Sequence, residues 1–409
     1  MRRVASTVAL GAVTWGCAGT EKTASPPAAE FLLAAGDSTY WVRSNDEGMR
    51  LRSAPILLTQ VEGRFYEVFI GEDGVDYEDA AFGVARIYAR DVTQRDSMTL
   101  FDDGSVMREA EAWKRRHPAE TPVDPESDQL PTDPATIVTE EIEILDVHGP
   151  WVTFNHLLDV DVADREPHRH GGRRYVVDVR TGARASLAAL FGEAEARRLI
   201  GEGRRTFLQL TDSIRNAGDD RAELARETLD SFKFDSSSFG LTDIARAPAV
   251  AFMVPGNGVD GEALALNLPP IAAAPPAWWS GVQATLPAWA PDSSLVKWSR
   301  GSYAIVARPT PDGESLALSL ATDAEATGAR QPAEKGSRVK EWPIATVPAP
   351  AYQLIPLDAP RVSAAMHDAL ARAFDVSAAL DGVVKAARAI PPSAHRARPR
   401  LVHVRRSHD

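Results

Sequence analysis

Cysteine is almost absent from this sequence. The 409 residues include one, Cys17, so no pair is available for an intrachain disulfide. Disulfides, which stabilise many small exported domains, are therefore excluded as a source of stability. We expect buried apolar cores to hold the fold, and 44% hydrophobic residues in a chain of this length suffice for two or three domains.

Local catalytic motifs are missing as well. The chain contains no serine nucleophile elbow, no HExxH zinc-protease motif and no P-loop. GNGVDG, residues 256–261, matches G-x-G-x-x-G, but a strand-like, proline-ended segment follows it where nucleotide binding needs a helix, so we interpret it as a hairpin loop. We predict no cofactor and no catalytic residue. This pattern favours a protein that is not an enzyme, although catalytic residues far apart in the chain would leave no such motif.

The N-terminus is typical of a bacterial export signal, and no later apolar run is long enough to span a bilayer. An arginine pair precedes a short apolar run, and small residues lead to Cys17. A cysteine directly after Gly16 is similar to the lipobox of bacterial lipoproteins, although Thr14 and Trp15 stand where an aliphatic and a small residue are usual. We predict a lipoprotein-type signal peptide over residues 1–17, with lipidation of Cys17. The alternative is an ordinary cleaved signal peptide with an incidental cysteine.

Charge is distributed unevenly. The formal net charge is −12, yet residues 391–409 contain five arginines and a single acid. Because this tail carries +4, the rest of the chain carries −16, which argues against nucleic-acid binding by the body. We interpret the basic tail as a solvated end. The alternative is an anchor for anionic lipid or polysaccharide headgroups.

Composition and periodicity divide the chain into segments. After the signal peptide we predict a linker over 18–38, a β-rich region over 39–117, a proline-rich and acidic linker over 118–135, an α+β domain over 136–271, a Trp-rich connector with a hairpin and helices over 272–390, and the basic tail over 391–409. The predicted fold class is α+β. Antiparallel sheets pack on a few helices, and the N-terminal and C-terminal regions are rich in β-structure.

Helices are predicted where apolar residues recur at helical spacing, namely over residues 105–117, 193–214, 220–232 and 361–374. In the first of these, Ser105 is the expected N-cap and Pro118 the terminator. SYAIVARP and ESLALSL flank the turn-forming PTPDG, which predicts a β-hairpin.

A polar cluster precedes two glycines, Gly171 and Gly172. Six potential metal ligands fall within twelve residues: Asp159, Asp161, Asp164, Glu166, His168 and His170. On a strand the two histidines would share a face, as short metal-binding strands require. Interleaved arginines oppose a cation, however, and the glycines suggest a turn. We therefore predict a loop between strands and no metal site.

The stretch from residue 151 to residue 192 resembles the RsiV-type extracytoplasmic domain, a family of bacterial envelope domains. The matching residues are the paired Gly171 and Gly172, the D-x-x-T-G turn formed by Asp178, Thr181 and Gly182, and the apolar helix start with Leu187, Leu190 and Phe191. SSFGLTDIARAPAVAFMVPG and LALNLPPI resemble later strands of the family. The resemblance spans residues 136–271, about a third of the chain. One departure is that the histidines precede the glycines here, whereas the family places a histidine after them.

The resemblance implies an exported α+β domain without established catalytic residues. Relatives in that family include an anti-sigma factor whose outer domain recognises lysozyme and a cell-wall deacetylase that carries the domain beside its enzyme. Neither a membrane-spanning segment nor a deacetylase-like region is found in this sequence.

Four of the nine tryptophans fall within 21 residues: Trp278, Trp279, Trp289 and Trp298. Flat aromatic faces stack on sugar rings and hold peptides, so these residues are the candidate ligand-binding positions. The alternative is that they pack the junction between two regions of the chain.

These observations together predict a lipid-anchored protein of the bacterial cell envelope, periplasmic or surface-exposed. Its RsiV-like domain is expected to bind a cell-wall or protein ligand without catalysis, with peptidoglycan or a lysozyme-like protein as the possible partner. Two alternatives are a cell-wall hydrolase with dispersed carboxylates and an envelope scaffold.

Overall fold

The structure is a computed structural model of the chain. It describes residues 26–36, 38–123, 134–162, 169–216, 232–242, 249–254, 264–269, 271, 288–289, 296–300, 303–311, 315–322, 341–348, 351–357 and 362–375. Among these residues, no helix combines the length and the apolar composition needed to cross a membrane.

Strands dominate the described part of the chain. In chain order they are β1 (Ala29–Ala35), β2 (Ser38–Asn45), β3 (Gly48–Ala54), β4 (Leu57–Val61), β5 (Arg64–Asp76), β6 (Ala80–Asp91), β7 (Ser97–Phe101), β8 (Thr136–His148), β9 (Trp151–Val162), β10 (Arg169–Asp178), β11 (Gly240–Thr242), β12 (Ala249–Val254), β13 (Leu264–Asn267), β14 (Ala288–Trp289), β15 (Val296–Arg300), β16 (Tyr303–Pro309), β17 (Ser315–Thr322), β18 (Glu341–Pro348) and β19 (Ala351–Pro356). The helices are α1 (Ser105–Arg116), α2 (Leu187–Phe191), α3 (Glu193–Asn216) and α4 (364–375).

The strands form four sheets. Sheet A has the order β19-β1-β2-β3, sheet B the order β10-β9-β8-β6-β5-β4 with β7 also on β6, sheet C the order β11-β12-β13, and sheet D the order β14-β15-β16-β17-β18. Every described pairing is antiparallel except that of β6 with β8. Mostly antiparallel sheets with a few helices confirm the predicted α+β class.

Sheets A and D face each other across an apolar core. Phe31 and Leu33 of β1 pack there with Ile305 and Leu320 of sheet D, and all four are fully buried. The opposite face of β1 is also covered, because Leu32 packs in a second core with α4. Period-two alternation therefore buries both faces of this strand. The prediction of a linker over residues 18–38 was wrong for β1, since AEFLLAA is a buried strand.

Sheet B combines strands from both sides of residues 118–135. Strand β6 pairs with β5 along one edge, and its other edge is shared by β7, along residues 87–90, and β8, along residues 80–83. The chain leaving β7 therefore enters α1 next to the point where β8 separates from β6. This arrangement positions the polar cluster described below.

Helix α1 covers one end of sheet B. Its Val106, Ala110 and Trp113 pack on Phe82 and Val138. The helix ends at Arg116, just before the predicted terminator, but its N-cap is Gly104, which adopts a left-handed φ of 64°. The prediction of Ser105 as N-cap was therefore wrong, because its hydroxyl donates to a carboxylate on β8 instead.

Helices α2 and α3 share a core with sheet C. The apolar stripe of α3 contributes Ala196, Leu199 and Phe207, which pack with Phe252 of β12. The observed α3 confirms the helix predicted over 193–214. The predicted hairpin is also confirmed, because β16 and β17 pair antiparallel along their length.

Gly171 and Gly172 lie within β10, where they pair with Leu158 and Leu157 of β9. The prediction of a turn at these glycines was wrong. Gly172 packs closely there, since a Cβ at this position would lie 2.8 Å from Cε, the flexible end of the Met253 side chain. The loop that joins β9 to β10, including His168, lies outside the described residues.

Candidate functional site

Three ionisable side chains converge from separate elements of sheet B and its border. Asp103 lies between β7 and α1, Glu140 lies on β8 and His156 lies on β9, and their donor atoms all lie within 4.8 Å of one another. In the register of β8 and β9, Glu140 pairs with Leu158 and Ile142 pairs with His156. Glu140 and His156 are therefore diagonal neighbours on one face of the sheet, a separation that long side chains bridge.

The cluster is largely shielded from solvent. The Glu140 side chain is 0% exposed and the His156 side chain 8% exposed, whereas Asp103 is half-buried. Ser105 Oγ donates a hydrogen bond to Glu140 Oε1 at 3.1 Å. The distance from Glu140 Oε1 to His156 Nε2 is 3.6 Å, longer than a hydrogen bond.

Two buried atoms of the cluster lack a hydrogen-bond partner within the described residues, namely Glu140 Oε2 and His156 Nε2. An unsatisfied buried polar atom costs about 1–3 kcal/mol, and more when the group is charged. Native folds seldom leave such groups unpaired. The pair of atoms therefore indicates a further partner at this position.

Aromatic rings form the wall of the cluster. Phe101 meets the His156 ring edge-to-face at a centroid distance of 5.0 Å, and Tyr175 lies beside both rings. Arg173 pairs with His156 across β10 and β9. A hydrogen bond to Tyr175 raises the pKa of Arg173, and the charge of Asp103 contributes to the same shift.

A second polar network, in which Asn155 and Arg174 are buried and Glu143 is exposed, lies on the opposite face of the sheet. Arg174 Nε donates to Asn155 Oδ1 at 2.8 Å, and Asn155 Nδ2 donates to Glu143 Oε2 at 2.8 Å. Burial lowers the pKa of Arg174, while the Glu143 carboxylate partly offsets that effect. The Arg174 side chain packs against Gly240 so closely that a Cβ at Gly240 would overlap it. None of its three side chains has a buried polar atom without a hydrogen-bond partner, so we interpret this network as structural.

The donors of the first cluster suit a divalent cation. One imidazole nitrogen and two carboxylate oxygens are ligand types that zinc accepts. The sequence offered no local motif, because Glu140 follows Asp103 by 37 positions and His156 follows Glu140 by 16. One indication was available, since Glu140 and His156 each interrupt an otherwise apolar alternation on their strands.

None of the three residues of this cluster is among those predicted to carry function. Cys17, Trp278 and Trp279 lie outside the described residues, as do residues 256–261 and 220–231 and the basic tail. Trp289 belongs to β14 and Trp298 to β15, which are adjacent strands of sheet D. The assignment of the tryptophans to ligand binding stays a prediction.

A polar groove of about 470 Å³ lies at one end of sheet A. Its lining includes Glu30, Arg43, Asn45 and Arg50, together with Tyr303 from sheet D. The Arg43 guanidinium pairs with Glu30 at 2.9 Å, whereas Arg50 is more than four-fifths exposed. The groove thus presents charged and amide groups to solvent beside one aromatic ring.

Comparison with known proteins gives little. No protein-family model matches the chain, and no curated protein is similar to it. Among solved structures, a DUF3298 family protein from Pseudomonas aeruginosa is similar at 14% identity, covering 50% of this chain and 89% of that chain, with a TM-score of 0.28. A likeness this low supports no inference about function.

Proposed function

We propose that this chain is a lipid-anchored binding protein of the bacterial envelope, with an RsiV-like, non-catalytic domain between residues 136 and 271. The proposal draws on the export-type N-terminus, on the residues that resemble the RsiV-type domain, and on the strand-rich body. The expected ligand is peptidoglycan or a lysozyme-like protein. The observation that carries the binding function is the polar groove at the end of sheet A, which lies outside residues 136–271, so the proposal places the ligand on sheet A rather than on the RsiV-like domain itself.

The position of the groove suits a tethered receptor. It is lined by Ala28 and Ala29 at the start of β1, twelve residues after Cys17. An extended chain spans at most about 3.5 Å per residue, so lipid on Cys17 would hold the groove entrance within roughly 40 Å of the membrane surface. Arginine and amide groups there suit ligands with carboxylates and hydroxyls, which stem peptides and glycans both offer.

Burial at the Asp103 cluster counts against the rival hydrolase. A glycoside hydrolase needs two carboxyl groups on either side of a cleft that admits a sugar chain. Asp103 and Glu140 lie close together, but the Glu140 side chain is fully buried. This pair therefore offers no surface on which a polymer could react.

The test is a pull-down of the full chain, purified in detergent, with peptidoglycan and separately with lysozyme. Arg50→Ala probes the groove, the double change Trp278→Ala and Trp279→Ala probes the tryptophan run, and Arg204→Ala on the exposed face of α3 is the matched control. We expect the wild type and Arg204→Ala to bind equally, and Arg50→Ala to bind at least about fivefold more weakly, as loss of one charge-assisted contact predicts.

The outcomes separate the candidate surfaces. Loss in the folded tryptophan double variant alone would move the ligand site to residues 278 and 279 and refute the groove. If the wild type binds neither ligand, the proposal fails for both, and the envelope scaffold becomes the better hypothesis.

A further inference from the structure

We propose that Asp103, Glu140 and His156 bind a divalent transition-metal ion, with zinc as the expected occupant. The site lies in sheet B, away from the groove residues of sheet A, and it does not depend on the proposed function. The bound ion would have a structural role, because it would link the connection before α1 to strands β8 and β9.

The spacing of the donor atoms fits a metal better than a hydrogen bond. Zinc binds imidazole nitrogen and carboxylate oxygen at about 2.0–2.2 Å, so two ligands in a tetrahedral site lie roughly 3.4 Å apart. Glu140 Oε1 and His156 Nε2 are separated by 3.6 Å. The third donor, from Asp103, falls within 4.8 Å of both, so a small movement of this half-buried side chain would close the site.

Burial and hydrogen bonding make this a built site. Glu140 Oε2 and His156 Nε2 are buried and unpartnered among the described residues, and both belong to the cluster. Ser105 Oγ donates to Glu140 Oε1, the oxygen that lies 3.6 Å from His156 Nε2, and so fixes the orientation of the carboxylate, as residues behind a metal ligand commonly do. The edge-to-face Phe101 ring shields the imidazole on one side.

Charge also favours a cation. In the described part of the chain, neither Asp103 nor Glu140 forms an ion pair with lysine or arginine. Arg173 lies close enough for its charge to act on Asp103, but its guanidinium hydrogen-bonds to Tyr175. The buried Glu140 carboxylate and the half-buried Asp103 carboxylate therefore have no lysine or arginine paired with them in this part of the chain, and a cation bound between them would offset their charge.

The burial of Glu140 and His156 favours a structural role for the ion. Glu140 and His156 are shielded beneath the start of α1, and half-buried Asp103 marks the side from which an ion and one water ligand would enter. A bound ion would link the β7–α1 connection to the middle of sheet B. We therefore expect zinc to raise the thermal stability of the protein.

The experiment is a zinc titration of the full chain, purified in detergent and stripped of metal with a chelator. A colorimetric chelator competes for ZnCl₂ and reports stoichiometry and Kd, and melting is followed with and without zinc. Asp103→Asn and Glu140→Gln remove ligands, and Asp102→Asn is the matched control, because that neighbouring carboxylate pairs with Arg86 instead. Asp103→Asn changes a half-buried loop position, so it keeps the test valid if Glu140→Gln misfolds.

We expect one high-affinity equivalent in the wild type and in Asp102→Asn, with zinc raising the melting temperature of both. Asp103→Asn should weaken binding at least about tenfold, the effect that loss of a metal-site contact commonly has. The proposal is overturned if the wild type binds no zinc. It is also overturned if Asp103→Asn and Glu140→Gln bind as tightly as wild type, which would assign the zinc to other groups such as the tail histidines, His395, His403 and His408.

Discussion

Gly201 and Gly203 of α3 differ in the space that is available to a side chain. A Cβ at half-buried Gly201 would meet nothing within 4 Å. A Cβ at buried Gly203 would lie 2.8 Å from Phe234 Cε1 and 3.0 Å from Phe252 Cε2. Gly203 belongs to the apolar stripe of the helix, and Gly201 does not. The same substitution, glycine to alanine, should therefore have opposite effects at the two sites.

Two effects, helix propensity and core packing, set the expected changes in the free energy of unfolding. Alanine is favoured over glycine in a helix interior by about 0.8–1 kcal/mol, so Gly201→Ala should raise the free energy of unfolding by about that amount. Gly203→Ala has the same favourable helix propensity, but its added methyl group overpacks a filled core, which typically costs about 1–3 kcal/mol. Phe234 has little room to move, because it packs edge-to-face on Phe252 at a centroid distance of 5.0 Å. We expect a net loss of up to about 2 kcal/mol for Gly203→Ala.

The comparison of the two variants isolates the steric term, because the propensity gain is common to both. Thermal melting followed by circular dichroism should move by about 2–4 °C per kcal/mol, upward for Gly201→Ala and downward for Gly203→Ala. Since a chain with several cores need not unfold in one step, amide hydrogen exchange within α3 provides the local measurement. Equal stabilisation by both substitutions would refute the packing of α3 on Phe234.

Two further predictions concern ionic groups. Asn155→Ala leaves the buried Arg174 guanidinium without its hydrogen-bond acceptor, so we expect a loss of about 2–3 kcal/mol in urea denaturation, with exposed Asn45→Ala as a control of smaller effect. A hydrogen bond from Arg198 lowers the pKa of Glu195 below 4.5, so its stabilisation is present above that ordinary pKa and is lost as pH falls through the folded value. The stability difference between wild type and Glu195→Gln should therefore shrink as the pH is lowered from about 5 to about 3, and a constant difference would contradict this assignment.

Elements with strong local patterns were predicted well. The apolar stripe of α3 and the hairpin pairing of β16 with β17 depend on neighbouring residues, and both occur in the structure. Helix α1 also ends where its proline requires. The N-cap of α1 was predicted wrongly, because Gly104 and Ser105 are both suitable capping residues. The Ser105 hydroxyl donates to the distant Glu140 instead of capping the helix.

Predictions failed where contacts between distant segments set the outcome. Gly172 lies within a strand because β10 pairs with β9, and Met253 packs beside it from sheet C, contacts that no local pattern encodes. The short apolar run of β1 was predicted as part of a linker, because much of its cover comes from β19, sheet D and α4, more than 250 residues away.

The sequence by itself determined the α+β class, the helix periodicity of α3 and the hairpin of β16 and β17, because spacing along the chain dictates which face of an element is apolar. Tertiary structure alone decided which strands share sheet B, since β6 accepts both β7 and β8 on one edge. That pairing brings Asp103 beside Glu140 and His156. Residues so far apart in sequence become neighbours only through strand register, and register depends on long-range burial of whole faces.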